Sequence, residues 1–222
     1  MLAACLTVVL LPTVASAQDA PALRPHHLTL SGGLTWTATY DVGDQVAQLR
    51  GNGTGLAPPP FTLFASASHV DAAWAPDMRV GVALARTLAV EAGVMLSAPH
   101  IGVSISKDVE AASQELPGEA LRQFQVDGAV VWQLPIHGRR IAPFAMGGAG
   151  YVRQLHEDRM LGETGQVYFG GGGLRYWIRG GAASRSFGLR AEARIMHRRG
   201  GIDFANAGRT YPSVSLALFA GL

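Results

Sequence analysis

Apolar and polar positions alternate along most of this chain. Between Leu28 and Tyr40, one face takes Leu28, Leu30, Leu34, Trp36, Ala38 and Tyr40, with Gly32 among them. The other takes Thr29, Ser31, Thr35, Thr37 and Thr39, with Gly33. A period of two predicts a strand with one apolar and one polar face. The run is longer than the usual strand of about 5–6 residues and suits the roughly 9–11 residues with which a tilted strand crosses a bilayer. The pattern returns at Val80, Val82 and Leu84, at Leu88 to Leu96, at Phe124 to Leu134, at Tyr168 to Ile178, at Phe187 to Ile195 and at Val214 to Leu222. Ile141 to Leu155 is apolar and glycine-rich, and its phase is ambiguous.

These segments predict an all-β fold, an antiparallel up-and-down transmembrane β-barrel of about eight strands. The predicted connections alternate in length. Short ones lie near Arg86-Thr87, Pro135 to Arg140 and Arg179 to Arg185. Long polar ones cover Asp41 to Asp77, Ser106 to Leu121, His156 to Gly165 and Arg198 to Arg209. Short turns on one side and long loops on the other match periplasmic turns and extracellular loops, which puts both termini on the periplasmic side. The course of the first long loop stays open; Phe61 to Val70 can extend the hairpin beyond the membrane.

A soluble barrel alternates equally well, with its apolar face inward. Three features favour lipid outside. The apolar stripe runs the length of each strand. Trp36, Tyr40, Trp132, Tyr168 and Tyr176 lie on it, several near strand ends where an aromatic girdle belongs. The polar face is rich in Gly, Ala, Ser and Thr, which suits a cramped interior. No apolar run after Gln18 approaches the roughly 20 residues of a transmembrane helix, so a spanning chain must close into a barrel.

The first 17 residues, MLAACLTVVLLPTVASA, have an apolar centre and end in Ala15-Ser16-Ala17, the shape of a secretory signal cleaved before Gln18. No Lys or Arg precedes Arg24, so the usual basic start is missing. Leu2 to Cys5 resembles a lipobox, but its apolar run follows the cysteine instead of preceding it. The expected organisation is a signal peptide at 1–17, an N-terminal tail at 18–26 and one barrel domain at 27–222.

Composition narrows the chemistry. Hydrophobic residues make up 48% of the 222 and charged residues 15%, against about 25% in a typical soluble domain. Of the 18 basic residues only Lys107 is lysine, and the arginines form no basic run, which gives no footprint for nucleic acid. Cys5, the single cysteine, lies in the expected signal, so a mature chain has no disulfide, thiol nucleophile or cysteine metal site. Six charges fall mid-strand on the polar face: Glu91, Asp127, Arg175, Arg190, Glu192 and Arg194. Three arginines against three carboxylates predict an interior ion-pair network that plugs the lumen. A proton path, a narrow pore or a small-ligand site is the sharper alternative.

With these strands in place the chain resembles the small bacterial outer-membrane β-barrels, the class of the OmpA transmembrane domain, OmpX, OmpW and the opacity-type proteins. The resemblance rests on GVALARTLAVEAG from Gly81 to Gly93, on APFAMGGAGY from Ala142 to Tyr151 and on GGGGLRY from Gly170 to Tyr176, and it covers most of Leu28 to Leu222. It implies residence in the outer membrane among lipid and lipopolysaccharide. It also implies insertion by the barrel-assembly machinery and possible extracellular partners for the long loops. Members of this class usually end in Phe, whereas this chain ends Leu218-Phe-Ala-Gly-Leu222.

The class shares no activity. Lipid-deacylating barrels carry His-x-Ser on a strand, which does not occur here; in Ser68-His69 the neighbours point to opposite faces of a strand. His26-His27 sits in the tail, and His100, His137, His156 and His197 lack metal-ligand spacing. Glu157 and Asp158 are too few for a calcium site. Gly170 to Gly173 opens no helix and is no phosphate loop. No catalytic, metal or cofactor residue is assigned. The expectation is a non-enzymatic barrel with a structural or surface-interaction role. A narrow channel or binder for small or hydrophobic solutes, and a lipid-modifying enzyme, stay open as alternatives.

Overall fold

The computed structural model describes residues 23, 25–50, 60–109, 112–134, 140–156, 162–179, 186–202 and 207–222. The expected signal peptide, most of the tail, His137, Glu157 and Asp158 lie outside them. The strands in chain order are β1 (Leu28–Thr37), β2 (Tyr40–Leu49), β3 (Phe61–Val70), β4 (Ala73–Ala83), β5 (Leu88–Ser97), β6 (His100–Ser106), β7 (Gln114–Ala120), β8 (Arg122–Gln133), β9 (Ile141–Leu155), β10 (Gly162–Arg179), β11 (Ser186–Gly200) and β12 (Arg209–Gly221). Eight of them, in the order β1-β12-β11-β10-β9-β8-β5-β4, close into an antiparallel barrel. Closure comes from β1 lying against β12, with Leu30 opposite Ala220 and Trp36 opposite Val214. β1 begins and β12 ends at the end of the barrel with the short turns, where the Leu222 amide donates to the Leu28 carbonyl at 2.9 Å.

The alternation has the sense expected for lipid. Met78, Leu34, Leu216, Ile195, Val130 and Leu174 point outward and are exposed. Asp77, Arg79, Glu91, Asp127, Arg190, Glu192 and Arg194 point inward and are buried. Each exposed aliphatic side chain gains roughly 1.5–3 kcal/mol on leaving water for an apolar surrounding. An apolar surface that runs unbroken around the wall is a membrane-facing surface. No described helix is long and apolar enough to cross a membrane, and the crossing elements here are strands. Outward aromatics mark both rims. Trp36 opposes Trp74 near the loop end, and Trp132 and Tyr176 stand near the turn end.

The first two long connections are not loops throughout. Residues 41–77 hold β2, β3 and half of β4, and residues 106–121 hold β7. With β6, these strands form a separate four-stranded sheet in the order β2-β3-β6-β7, continuing the β1–β4 and β5–β8 hairpins past the lipid. Two irregularities in the β2–β3 pairing, at Asp41/Gly43 and Ala47/Gln48, break the period of two in this segment. Pro117 and three charged or amide side chains make β7 read as loop, but β7 is an edge strand, where proline costs no ladder bond. β4 starts at Ala73 rather than near Val80, because Pro76 faces outward and the charges of Asp77 and Arg79 are lumen residues.

The ambiguous segment resolves as β9 with Phe144, Met146, Val152 and Gln154 inward and Ile141, Tyr151 and Arg153 outward. Both of its faces are apolar because the lumen needs packing partners beneath its arginines. Tyr40 departs from the girdle expected for it. The strand lapses at Ala38-Thr39, and Tyr40 restarts as the first residue of β2, turned inward and 7% exposed.

The lipid face has a direct test. Leu216 sits mid-strand on β12 opposite Leu34, half exposed on the outer wall. Leu216→Arg is expected to lower the unfolding free energy in lipid vesicles by about 2–4 kcal/mol. Urea titration followed by tryptophan fluorescence measures the change, and an unchanged midpoint would place this face in water.

Candidate functional site

The lumen is filled in three tiers. At the turn end, Trp177 and Phe219 meet edge to face at 5.8 Å among Ala83, Ala89, Val131 and Leu23. Leu23 belongs to the tail, whose backbone is fastened beneath the barrel: the Leu23 amide donates to the Arg86 carbonyl and the His26 amide to the Ala83 carbonyl.

The middle tier is ionic. Arg79 donates through Nε to Asp77 Oδ2 at 3.1 Å and through a terminal nitrogen to Asp127 Oδ1 at 3.1 Å. Gln125 also donates to Asp127, and the Thr35 hydroxyl donates to Asp77. Arg175 and Arg190 converge on one oxygen of Glu91, at 2.6 and 2.8 Å. Arg190 also pairs with Glu192 at 2.8 Å, and Arg194 bridges Glu192 to Asp77. Four arginines thus face four carboxylates, a net charge of zero, in side chains all at most 7% exposed. Zero net charge is what a low-dielectric interior demands, since an unpaired buried charge costs several kcal/mol.

Aromatic rings support the cations. Arg175 and Arg190 lie 5.4 and 4.8 Å from the Phe144 centroid, and Arg194 lies 5.3 Å from that of Phe169. The Phe144 ring is seated over Gly173, where a Cβ would come within 2.7 Å of it. Here the Gly170 to Gly173 run serves close approach inside β10.

The six predicted charges, Glu91, Asp127, Arg175, Arg190, Glu192 and Arg194, are brought together from four of the eight barrel strands, and β4 adds Asp77 and Arg79. Those two were missed because Asp77 stood at the end of an expected loop. Continuing the alternation back through Pro76 would have found them.

The third tier caps the loop end and was not foreseen. Arg198 is 2% exposed and meets no carboxylate among the described residues. It donates to Tyr40 Oη at 2.6 Å, to Gln123 Oε1 at 3.3 Å, to the Gly200 carbonyl at 3.2 Å and to Gln154 Oε1. Gln154 in turn donates to Gln123 at 2.9 Å. Gly200 and Gly201, both in the left-handed region, turn the chain so that the Ile202 amide also reaches Gln154. Tyr40 stacks on Tyr211 at 4.5 Å, and burial raises its phenol above the ordinary value, so the ring stays a neutral partner for Arg198.

Ser68 and His69 sit on β3 with only Ser68 buried, and His69 pairs with Asp71 at 3.3 Å on the other face. They form no nucleophile–base pair.

Two substitutions probe the ionic tier. Glu91→Gln leaves Arg175 and Arg190 without their shared carboxylate, and a loss of about 3–5 kcal/mol in unfolding free energy is expected. Adding Arg175→Met restores charge balance and is expected to recover part of it, a coupling that a double-mutant cycle reads directly. Gly173→Ala sets a Cβ against the Ala191 carbonyl of the neighbouring strand and the Phe144 ring, with an expected loss of about 1–3 kcal/mol in the same unfolding assay.

No protein-family model and no curated protein matches the chain. Solved structures do. The outer membrane protein OprG from Pseudomonas aeruginosa is 12% identical over 91% of this chain and 97% of its own, with a TM-score of 0.51. Ail, the attachment invasion locus protein of Yersinia pestis, is 7% identical over 90% of this chain and 100% of its own, with a TM-score of 0.45. The outer membrane protease OmpT from Escherichia coli is 9% identical over 95% of this chain and 100% of its own, with a TM-score of 0.38. At these identities the likeness is one of fold, and only the first is close enough to carry it. Joined to an apolar wall and a charged, filled interior, it makes this chain a membrane protein with the fold of the small outer-membrane β-barrels.

Proposed function

We propose that the chain is an exported outer-membrane protein that acts without catalysis, as a closed barrel that anchors and presents its four-stranded sheet outside the cell. In this reading both termini and the short turns are periplasmic. The observation that carries it is the filled lumen. Three stacked tiers cross the barrel, and the central one is a neutral set of four arginines and four carboxylates that pair across it. The sheet supports the presenting role. Val46, Leu49, Phe61, Phe64 and Leu116 stand exposed on strands that lie beyond the lipid, where apolar surface is costly unless it meets something.

Planar-bilayer recording of the purified protein tests the closed barrel. No unitary conductance is expected. Steady single-channel steps that vanish in an Arg190→Met variant would establish the channel reading instead. Product released from lipopolysaccharide or phospholipid, read by mass spectrometry, would overturn the non-catalytic part.

A further inference from the structure

The four-stranded sheet beyond the barrel has two edges, and they differ. β7 is guarded. It contains Pro117, which has no N–H to offer, its charged residues are Glu115 and Glu119, and its pairing with β6 slips at Ile101/Val103. Proline, charge and irregularity are the devices that stop a further strand from adding to an edge. β2 is open. From Gly43 to Leu49 it reads Gly-Asp-Gln-Val-Ala-Gln-Leu, with no proline and no lysine. It pairs with β3 alone. The two irregularities in that pairing leave this stretch regular, because the extra residues are Val42 below it and Leu63 on β3. Asp44, Gln45, Val46, Gln48, Leu49 and Arg50 are all exposed. Such an edge is a row of unpaired N–H and C=O groups, a template for one more strand.

The side chains along the edge select the occupant. Asp44 and Arg50 have no ionic partner among the described residues. Ala47 lies midway between them. A second copy of β2, paired antiparallel about Ala47, sets Asp44 of one copy opposite Arg50 of the other at both ends. Gln45 then meets Leu49, Val46 meets Gln48, and Ala47 meets Ala47. Residues directly opposite share a face of the sheet, where unlike charges attract and like charges repel. The segment is therefore self-complementary about a two-fold axis, as an isologous contact requires. The same operation on β7 about Pro117 sets Glu115 against Glu119.

Direction then fixes the geometry. β2 carries on from β1, away from the membrane, so an antiparallel partner strand belongs to a barrel whose membrane lies on the far side. We infer that the open edge of β2 is a homophilic adhesive surface, through which two copies in facing membranes join their sheets by pairing Asp44 to Arg50. At about 3.3 Å per residue from Tyr40 to Ala47 on each copy, the two barrel mouths stand no more than roughly 45 Å apart. One edge pair of this length is a small interface, and adhesion comes from many copies acting together between two surfaces. The inference rests on the reading that the sheet is presented outside the cell.

Protein reconstituted into phosphatidylcholine vesicles tests it, with clustering followed by light scattering. Lys107, the only lysine in the sequence, follows β6 and is exposed. Its labelling by a membrane-impermeant amine reagent, read by mass spectrometry, measures how many sheets point out of the vesicle. Gel mobility before and after boiling checks that each variant is folded. Wild-type vesicles are expected to cluster with one another, and not with vesicles that are empty or hold an unrelated barrel. Asp44→Arg and Arg50→Asp, each alone, oppose like charges and are expected to slow clustering at least roughly tenfold. Mixing the two kinds of variant vesicle restores both unlike pairs, and clustering is expected to return. The double variant, Asp44→Arg with Arg50→Asp, keeps the wild-type net charge and is expected to cluster with itself, which separates register from bulk attraction. Wild-type vesicles that label at Lys107 but do not cluster, clustering with empty vesicles, single variants that behave as wild type, or a folded double variant that does not recover would overturn the inference. Vesicles that label, pass no current and do not cluster remove it and leave the closed-barrel reading intact. Register-dependent clustering by a barrel that conducts does the reverse.

Discussion

The constraint on which the rest depends is closure of the sheet. Within a bilayer no water is available to satisfy an unpaired N–H or C=O, so a spanning sheet has no tolerable edge. The pairing of β1 with β12 removes the last one. Closure at eight strands then sets the radius, and a barrel of eight strands has an interior just wide enough for side chains to fill. The lumen is therefore a core, not a pore by default. What fills it must be bulky, fit together and carry no net charge.

This chain meets that demand with charges rather than aliphatics, and the choice has a reason in its period of two. Where a strand faces lipid its outward positions are apolar, so at that height the polar residues go inward. Arginine fills volume as well as carrying charge, and it stacks on rings as it does above Phe144 and Phe169. Glu91 accepts from two arginines, and Arg79 holds two aspartates. Six of the eight ions therefore have two charged partners, while Arg175 adds the Phe144 ring and Asp127 adds the Gln125 amide to a single one. Arg198 solves the same problem with neutral acceptors. It is as buried as the arginines of the middle tier, and four acceptors share its charge.

How much of this was legible follows from the same physics. The barrel was readable because lipid imposes a strict alternation on every spanning strand, as in β1, β5 and β8. The charged tier was readable where a charge interrupts a polar face in the middle of such a run, as at Glu91, Arg190 and Glu192. Asp77 and Arg79 were not, because Pro76 looks like a strand breaker when its outward orientation is unknown. The sheet β2-β3-β6-β7 was not, because outside lipid neither face has to be uniformly apolar, and its bulges shift the phase. Tyr40 shows the limit most simply. It continues the lipid-facing phase of β1 in sequence, yet two residues outside any strand are enough to turn it onto Arg198.

The inner and outer walls also differ in how they use glycine. Inward, Gly173 is required by the Ala191 carbonyl of the next strand and by the Phe144 ring, and a Cβ there has no room. Outward, Gly170 has open space above it, three residues away on the same strand. One strand thus holds a glycine that the fold needs and a glycine that the fold does not. Barrel packing accounts for the first. At the second, packing leaves room for a side chain.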